Sequence, residues 1–342
     1  MKKYFIVLLL ILLQTNCKEK KMEEENFIYS MEISAEEDYP VEVHDGVLSN
    51  GKQFISAIPK AGIAKGGWGF GSGNAGMKAG MIPNHLELTY ISYAEKKFWK
   101  IDTALPADKI LALFKEGFTY IDNQDVEHHE TYDELLIGLA PGGIVVVWLS
   151  GSVKKTEIGR FQAETIYVNK LDFQPVKFPD ETQEEYFETG FKICVPEAVQ
   201  AEILKKGIPF GLWDAYRIKY NWRYHTTSYK EDVDELVIYE NREYINGELS
   251  INDGNRKQIV NNFSQNALPW RSDFYYKDYS SSVEFDKLEI MLAFKNLNKK
   301  YPNEPIEIKI KTTFMYKGLT FKVSCGGEDI PLEKTKVTMY SN

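Results

Sequence analysis

The segment ELLIGLAPGGIVVVWLS, residues 134–150, decides the fold: Glu134–Ala140 and Ile144–Ser150 are apolar runs of equal length on either side of Pro141-Gly142-Gly143. Runs this short, rich in branched residues and broken by a Pro-Gly-Gly turn, predict an antiparallel hairpin. The same reading extends outward. Leu86–Tyr93 and Phe98–Thr103 flank the polar turn Glu95-Lys96-Lys97. Leu236–Tyr239 and Tyr244–Leu249 surround Asn241-Arg242, Ile306–Phe314 and Leu319–Cys325 surround Tyr316-Lys317-Gly318, and Lys334–Tyr340 is a last strand. Helices are few. Pro106 opens Ala107–Glu116 and Gly117 stops it, with Ala107, Ile110, Leu111 and Phe114 at core spacing; Pro196 opens Glu197–Lys206, followed by Gly207 and Pro209. Phe285–Lys300 has apolar residues nearly continuous from Leu288 to Phe294, and its length favours helix over strand. The class is therefore α+β, mainly antiparallel sheets with few helices.

The two sets of hairpins suggest an internal repeat. Gly143 and Gly151 bracket one strand and Gly318 and Gly326 another, both pairs eight apart at an offset of 175. Hairpin, helix, hairpin and strand then occur twice as ββαβββ halves, 27–178 and 179–342, with Ala163–Val168 and Lys336–Tyr340 as closing strands. The alternative is that glycines bound hairpins in any antiparallel sheet. Two copies would leave a groove between them as the default ligand or partner site.

The N-terminus reads as an address. Lys2 and Lys3 precede an apolar run, Tyr4–Leu13, and Cys17 follows Gln14-Thr15-Asn16. As a helix that run reaches about 15 Å, against a hydrocarbon core of about 30 Å, so it is too short to span. The expectation is a signal peptide over 1–16 and a bacterial lipoprotein anchored through Cys17; ordinary signal cleavage nearby is the alternative. Residues 17–26 carry that cysteine and the charge-dense stretch Lys18–Asn26, a solvated tether. The implied location is the cell envelope, on the periplasmic or surface face of the outer membrane.

The remaining roughly 325 residues, 43 % hydrophobic over the full chain, can bury a sizeable core. A net charge of −9 with no basic stripe argues against a nucleic-acid partner. An exported chain permits a disulfide between Cys194 and Cys325, although two lone buried thiols are the commoner outcome.

Motifs for chemistry are sparse. Gly71-Ser72-Gly73-Asn74-Ala75-Gly76 has the spacing of dinucleotide-binding glycines but neither the preceding buried strand nor the following helix, and reads as a mobile surface loop around Trp68. His128-His129, near Asp125, Glu127 and Glu130, would point to different sides of a strand or helix and reads as a polar loop. No Gly-x-Ser-x-Gly elbow, His-Glu-x-x-His helix or phosphate-cradling loop occurs. The expectation is therefore no metal, no cofactor and no enzyme, while a carboxylate pair acting on glycans stays open among 50 acidic residues. Aromatics cluster at Trp213, Tyr216, Tyr220, Trp222 and Tyr224, and again at Trp270-Arg271 with Phe274, Tyr275 and Tyr276. Trp68, Trp213, Trp270 and Arg271 are the candidate binding residues. The competing reading puts Tyr216, Tyr220, Trp222 and Tyr224, which share one parity, on a single buried sheet face.

Several of these runs together resemble an uncharacterised bacterial family, many of its members lipoproteins, labelled domain of unknown function 2931. The residues are Tyr39-Pro40-Val41, Gly67-Trp68-Gly69, Leu86–Asp102, Leu105–Gly117, Leu139–Gly151 and Gly207–Trp222, covering about 27–225. The resemblance implies no activity, substrate or catalytic residue. Some relatives resemble partners of antibacterial secretion toxins, which implies a toxin-neutralising protein with a basic partner for an acidic groove between the halves. A surface glycan-binding module and a glycan hydrolase are the alternatives.

Overall fold

The computed structural model describes residues 27–51, 53–60, 62–72, 80–122, 126–175, 179–230, 237, 239–252, 262–276 and 278–341. The signal, Cys17 and the tether lie outside them, as do 73–79 of the glycine motif and Asp125. The first half contains β1 (Ser30–Ser34), β2 (Val41–Asn50), β3 (Gln53–Ala57), β4 (Ile63–Ala64), β5 (His85–Ser92), β6 (Lys97–Ala104), α1 (Ala107–Glu116), β7 (Phe118–Ile121), β8 (Glu127–Glu130), β9 (Glu134–Ala140), β10 (Ile144–Ser150), β11 (Lys155–Gln162) and β12 (Glu164–Ile166). Four helices follow, α2 (Lys170–Phe173), α3 (Gln183–Cys194), α4 (Glu197–Lys206) and α5 (Leu212–Tyr216). The second half contains β13 (Tyr220–Thr227), β14 (Tyr239–Tyr244), β15 (Leu249–Asn252), β16 (Ser264–Asn266), β17 (Pro269–Tyr275), β18 (Tyr279–Glu284), α6 (Lys287–Lys300), β19 (Ile306–Thr312), β20 (Leu319–Cys325), β21 (Glu328–Pro331) and β22 (Lys336–Ser341). The fold is α+β with predominantly antiparallel sheets.

The order of strand pairing recurs. In the first half β1 runs parallel to β9, which continues antiparallel into β10 and β11; in the second, β13 runs parallel to β19, which continues into β20 and β21. A second sheet runs β12-β6-β5-β2-β3, and its counterpart β22-β18-β17-β14-β15 follows the same path. In each half one helix, α1 or α6, links the two sheets. The halves are joined at the edge by the pair Lys155↔Leu249, which merges two four- and five-strand paths into a nine-stranded sheet.

Alternation explains the cores. On β9 and β10, Leu135, Ile137, Leu139, Val145, Val147 and Leu149 face Leu86, Leu88 and Tyr90 of β5 and the Ile110–Phe114 stripe of α1. The opposite face, Leu136, Ala140, Ile144, Val146 and Trp148, belongs to the core of the second half with Trp222, Tyr224 and Phe294. Every residue of β10 is buried. A strand covered on both faces reads as a continuous apolar run.

The outer face of the β5–β6 hairpin, Ile91, Tyr93, Ala94 and Phe98, is covered by Tyr186 and Phe191 of α3 and by Val195 and Val199. A boundary at 178/179 assigns those helices to the second half, whereas their apolar faces pack on the first. Thr182 begins α3 with a capping box closed by Glu185. Cys194 and Cys325 belong to different hydrophobic clusters and are not joined by the disulfide that the sequence left open.

Asn241-Arg242 is not a turn: both residues lie within β14, and the reversal falls at Ile245–Glu248. That turn meets the loop 67–70 backbone to backbone. A Cβ added to Gly69 would lie 2.6 Å from the Gly247 Cα, and one on Gly247 would lie 2.9 Å from the Trp148 ring. Gly247 also has φ 86°, a left-handed conformation that favours glycine. Gly247→Ala is expected to destabilise by at least about 2 kcal/mol, from backbone strain plus overpacking. Gly207→Ala, at φ 79° with open space around it, reads the backbone part alone. Equal shifts of the urea midpoint in the two variants would contradict a packed joint at Gly247.

Candidate functional site

Two clefts flank the joint between the halves. The first, about 480 Å³, is bounded by Glu36, Asp38 and Tyr39 after β1, Glu202 and Lys206 of α4, Trp213 and Tyr216 of α5, and Asp286-Lys287 at the start of α6. Local structure fixes these groups. Asp286 caps α6 by accepting from the Glu289 backbone N–H at 2.8 Å. The Lys287 ammonium sits 3.1 Å from a Glu36 carboxylate oxygen and over the rings of Trp270 and Tyr216 at 5.0 and 5.5 Å. Tyr39 meets Trp213 edge-on at 5.2 Å. Among the described lining residues Glu36, Asp38, Glu202 and Asp286 outnumber Lys206 and Lys287, and Glu202 already pairs with Lys206 at 2.7 Å. Burial, then the nearby Glu37 and Glu202, raises the Asp38 carboxyl above its ordinary value. Burial followed by Asp38, Glu202 and Glu36 pushes the Tyr39 phenol up to about 12.

The second cleft, about 750 Å³, lies between the end of α1 and the start of β11 on one side and β14, β15 and β16 on the other. Glu240 and Arg242 project from alternate positions of β14 into its inner end. The Arg242 Nε donates to Glu240 Oε1 at 2.6 Å, and the guanidinium lies over Trp222, Tyr224 and Tyr244 at 4.8, 4.6 and 5.9 Å. Glu240 is 0 % exposed and its Oε2 has no hydrogen-bond partner among the described residues. Burial raises its carboxyl above the ordinary value, against the attraction of Arg242. Four basic residues, Lys154, Lys155, Lys219 and Arg242, stand against Glu116, Glu240 and Glu248 among the described lining. An acidic groove is thus found in the first cleft, while the second is nearly balanced.

Between them Lys155 donates to the Gly69 carbonyl and lies 4.9 Å from the Phe70 ring centre. Burial lowers its ammonium pKa, and burial raises the carboxyls of Glu134 and Glu243 beside it.

The proposed aromatic binding surface is largely interior. Trp68 is 4 % exposed, edge-on to Trp148 at 5.1 Å, and Trp213 is 1 % exposed. The loop at Trp68 is therefore a packed joint rather than a free surface loop. Trp270 is half-buried between Phe70 and Lys287, and Arg271 alone of the four is exposed, opposite Glu243 in the β14–β17 register. Trp222 and Tyr224 do share the buried face of β13, with Tyr220 half-buried beside them, whereas Tyr216 belongs to α5. His128 and His129 lie on β8, where they contact Asp122 and Thr119 separately. No helix among the described residues is long and apolar enough to cross a membrane.

The described residues form an α+β fold of mainly antiparallel sheets in which the strand pairings of the N-terminal part recur in the C-terminal part, with a core shared between them. The chain belongs to the family described as Protein of unknown function (DUF2931), whose model matches residues 14–211, more than half of the 342. The match takes in β1–β12 and α1–α4 and stops before α5. No curated protein and no solved structure matches the chain.

Proposed function

We propose that this chain is a lipid-anchored protein of the bacterial cell envelope that acts by binding, and that the acidic cleft receives the basic face of a partner protein. The address in residues 2–17 supports the location, periplasmic or at the outer-membrane surface. The observation that carries the partner's chemistry is the crowding of Asp38 by Glu202 and the neighbouring carboxylates. A cationic side chain entering there would relieve that repulsion and speed encounter electrostatically. The family resemblance suggests an antibacterial toxin as the partner. The recurrence of the same strand pairings supports reading the halves as two copies of one unit.

The test is affinity capture from envelope extracts with the full chain, in parallel with a variant carrying Asp38→Lys and Glu202→Lys, both exposed positions. The expected result is one stoichiometric basic protein, retained by the wild type and released by charge reversal. Retention should also weaken on acidification, because the raised Asp38 carboxyl loses its charge as pH falls through its folded value. A partner that ignores both the charge reversal and the pH would overturn the assignment of the cleft.

A further inference from the structure

We infer that the second cleft is a separate small-molecule site, taking a short neutral oligosaccharide. Its volume, about 750 Å³, falls within the range of about 300–1,000 Å³ usual for small ligands. The argument begins at Glu240. A carboxylate 0 % exposed, with Oε1 held by Arg242 and Oε2 unpartnered, is an unfilled hydrogen-bonding position at the inner end of the cleft. Leaving such an atom unpaired is unfavourable, and a ligand hydroxyl satisfies it whether the carboxyl is charged or protonated, since a hydroxyl both donates and accepts.

The rest of the lining selects among hydroxyl-bearing ligands. Four cations against three carboxylates disfavour a strongly charged molecule. Ser250, Ser264, Asn262 and Asn266 supply neutral donors and acceptors in the lining, and the rings of Phe118 and Tyr244 supply flat apolar surface. Neutral amides and hydroxyls beside aromatic rings match a pyranose, which presents hydroxyls at its edge and C–H groups on its face. The corresponding strand of the first half, β2, places Val41 and Val43 in its core, so the ion pair and its cleft are particular to the second half.

The experiment is calorimetric titration of the full chain with maltotriose, cellotriose and triacetylchitotriose as probes. At least one is expected to bind. Ser264→Trp, which adds a bulky ring at an exposed position of the lining, is expected to weaken that binding at least tenfold. The charge-reversed acidic cleft should leave it unchanged. No heat with any of the three sugars, or equal binding by wild type and Ser264→Trp, would overturn the inference. Neither outcome bears on the protein partner of the acidic cleft.

Discussion

Trp148→Ala is expected to lower the unfolding free energy by about 3–5 kcal/mol, the usual range for deleting a buried tryptophan. Trp148 is 0 % exposed, and its ring is held on three sides by glycines or another tryptophan. A Cβ on Gly138 would lie 2.4 Å from it, the Gly247 turn covers its edge, and Trp68 meets it edge-on at 5.1 Å. None of these backbones can follow a shrinking side chain, because each is fixed by a strand ladder or a turn hydrogen bond. The resulting cavity would persist. It would also lie where loop 67–70 of one half docks on the hairpin turn of the other. Loss of the ring should therefore separate the unfolding of the halves as well as weaken it. The measurement is urea unfolding followed by circular dichroism and by hydrogen exchange of β9 and β19 amides. A single coincident transition at the wild-type midpoint would sink this account of the joint.

Arg242→Met is expected to cost about 3–5 kcal/mol at neutral pH, since it strands the fully buried Glu240 carboxylate without its cation. Adding Glu240→Met should recover most of that loss, because a buried ion pair replaced by apolar side chains of similar size is often close to neutral. The surrounding rings of Trp222, Tyr224 and Tyr244 already form an apolar box. The single variant carries a pH signature. Burial raises the Glu240 carboxyl above its ordinary 4.5, and loss of Arg242 removes the chief influence holding it down. A raised folded value means that the contribution to stability is full below 4.5 and is lost as pH rises through the folded pKa. The penalty of Arg242→Met should thus be large at pH 7.5 and shrink towards pH 5, as denaturant midpoints would report. A pH-independent penalty, or a double variant as unstable as the single one, would contradict a pair held in this way.

The parts of the fold governed by local chemistry were legible. Pro141-Gly142-Gly143 between two apolar runs gave a hairpin with the expected ends, and Pro106 with Gly117 bounded α1. Asn241-Arg242 misled because asparagine beside a charged residue is turn material. The aromatic face of β13 overrides that preference by giving the guanidinium somewhere to stack. Gly67-Trp68-Gly69 looked like a free loop for a related reason. Glycine signals mobility and close approach alike, and only the position of Gly247, 178 residues later, distinguishes them. A groove was expected, but the residues lining the two clefts could not be read. Glu36, Asp38, Glu202 and Asp286 come from three distant segments, and the unfilled oxygen of Glu240 is a property of what surrounds it rather than of any spacing.

The family match ends at residue 211, and within it the outer face of the β9–β10 hairpin is covered only in part, by Trp68 against Trp148, while Trp222, Tyr224 and Phe294 come later in the chain. Leu136, Ala140, Ile144, Val146 and Trp148 would form the sticky side of an incomplete subunit, of the kind that proteins ordinarily cover by pairing with a second molecule. Here the cover is synthesised on the same polypeptide. Complex formation of this sort does not dilute: a tethered partner acts at a fixed effective concentration, however few copies are present. A chain joined in this way would keep that shared core intact, and its two clefts with it, at abundances where a true dimer would fall apart.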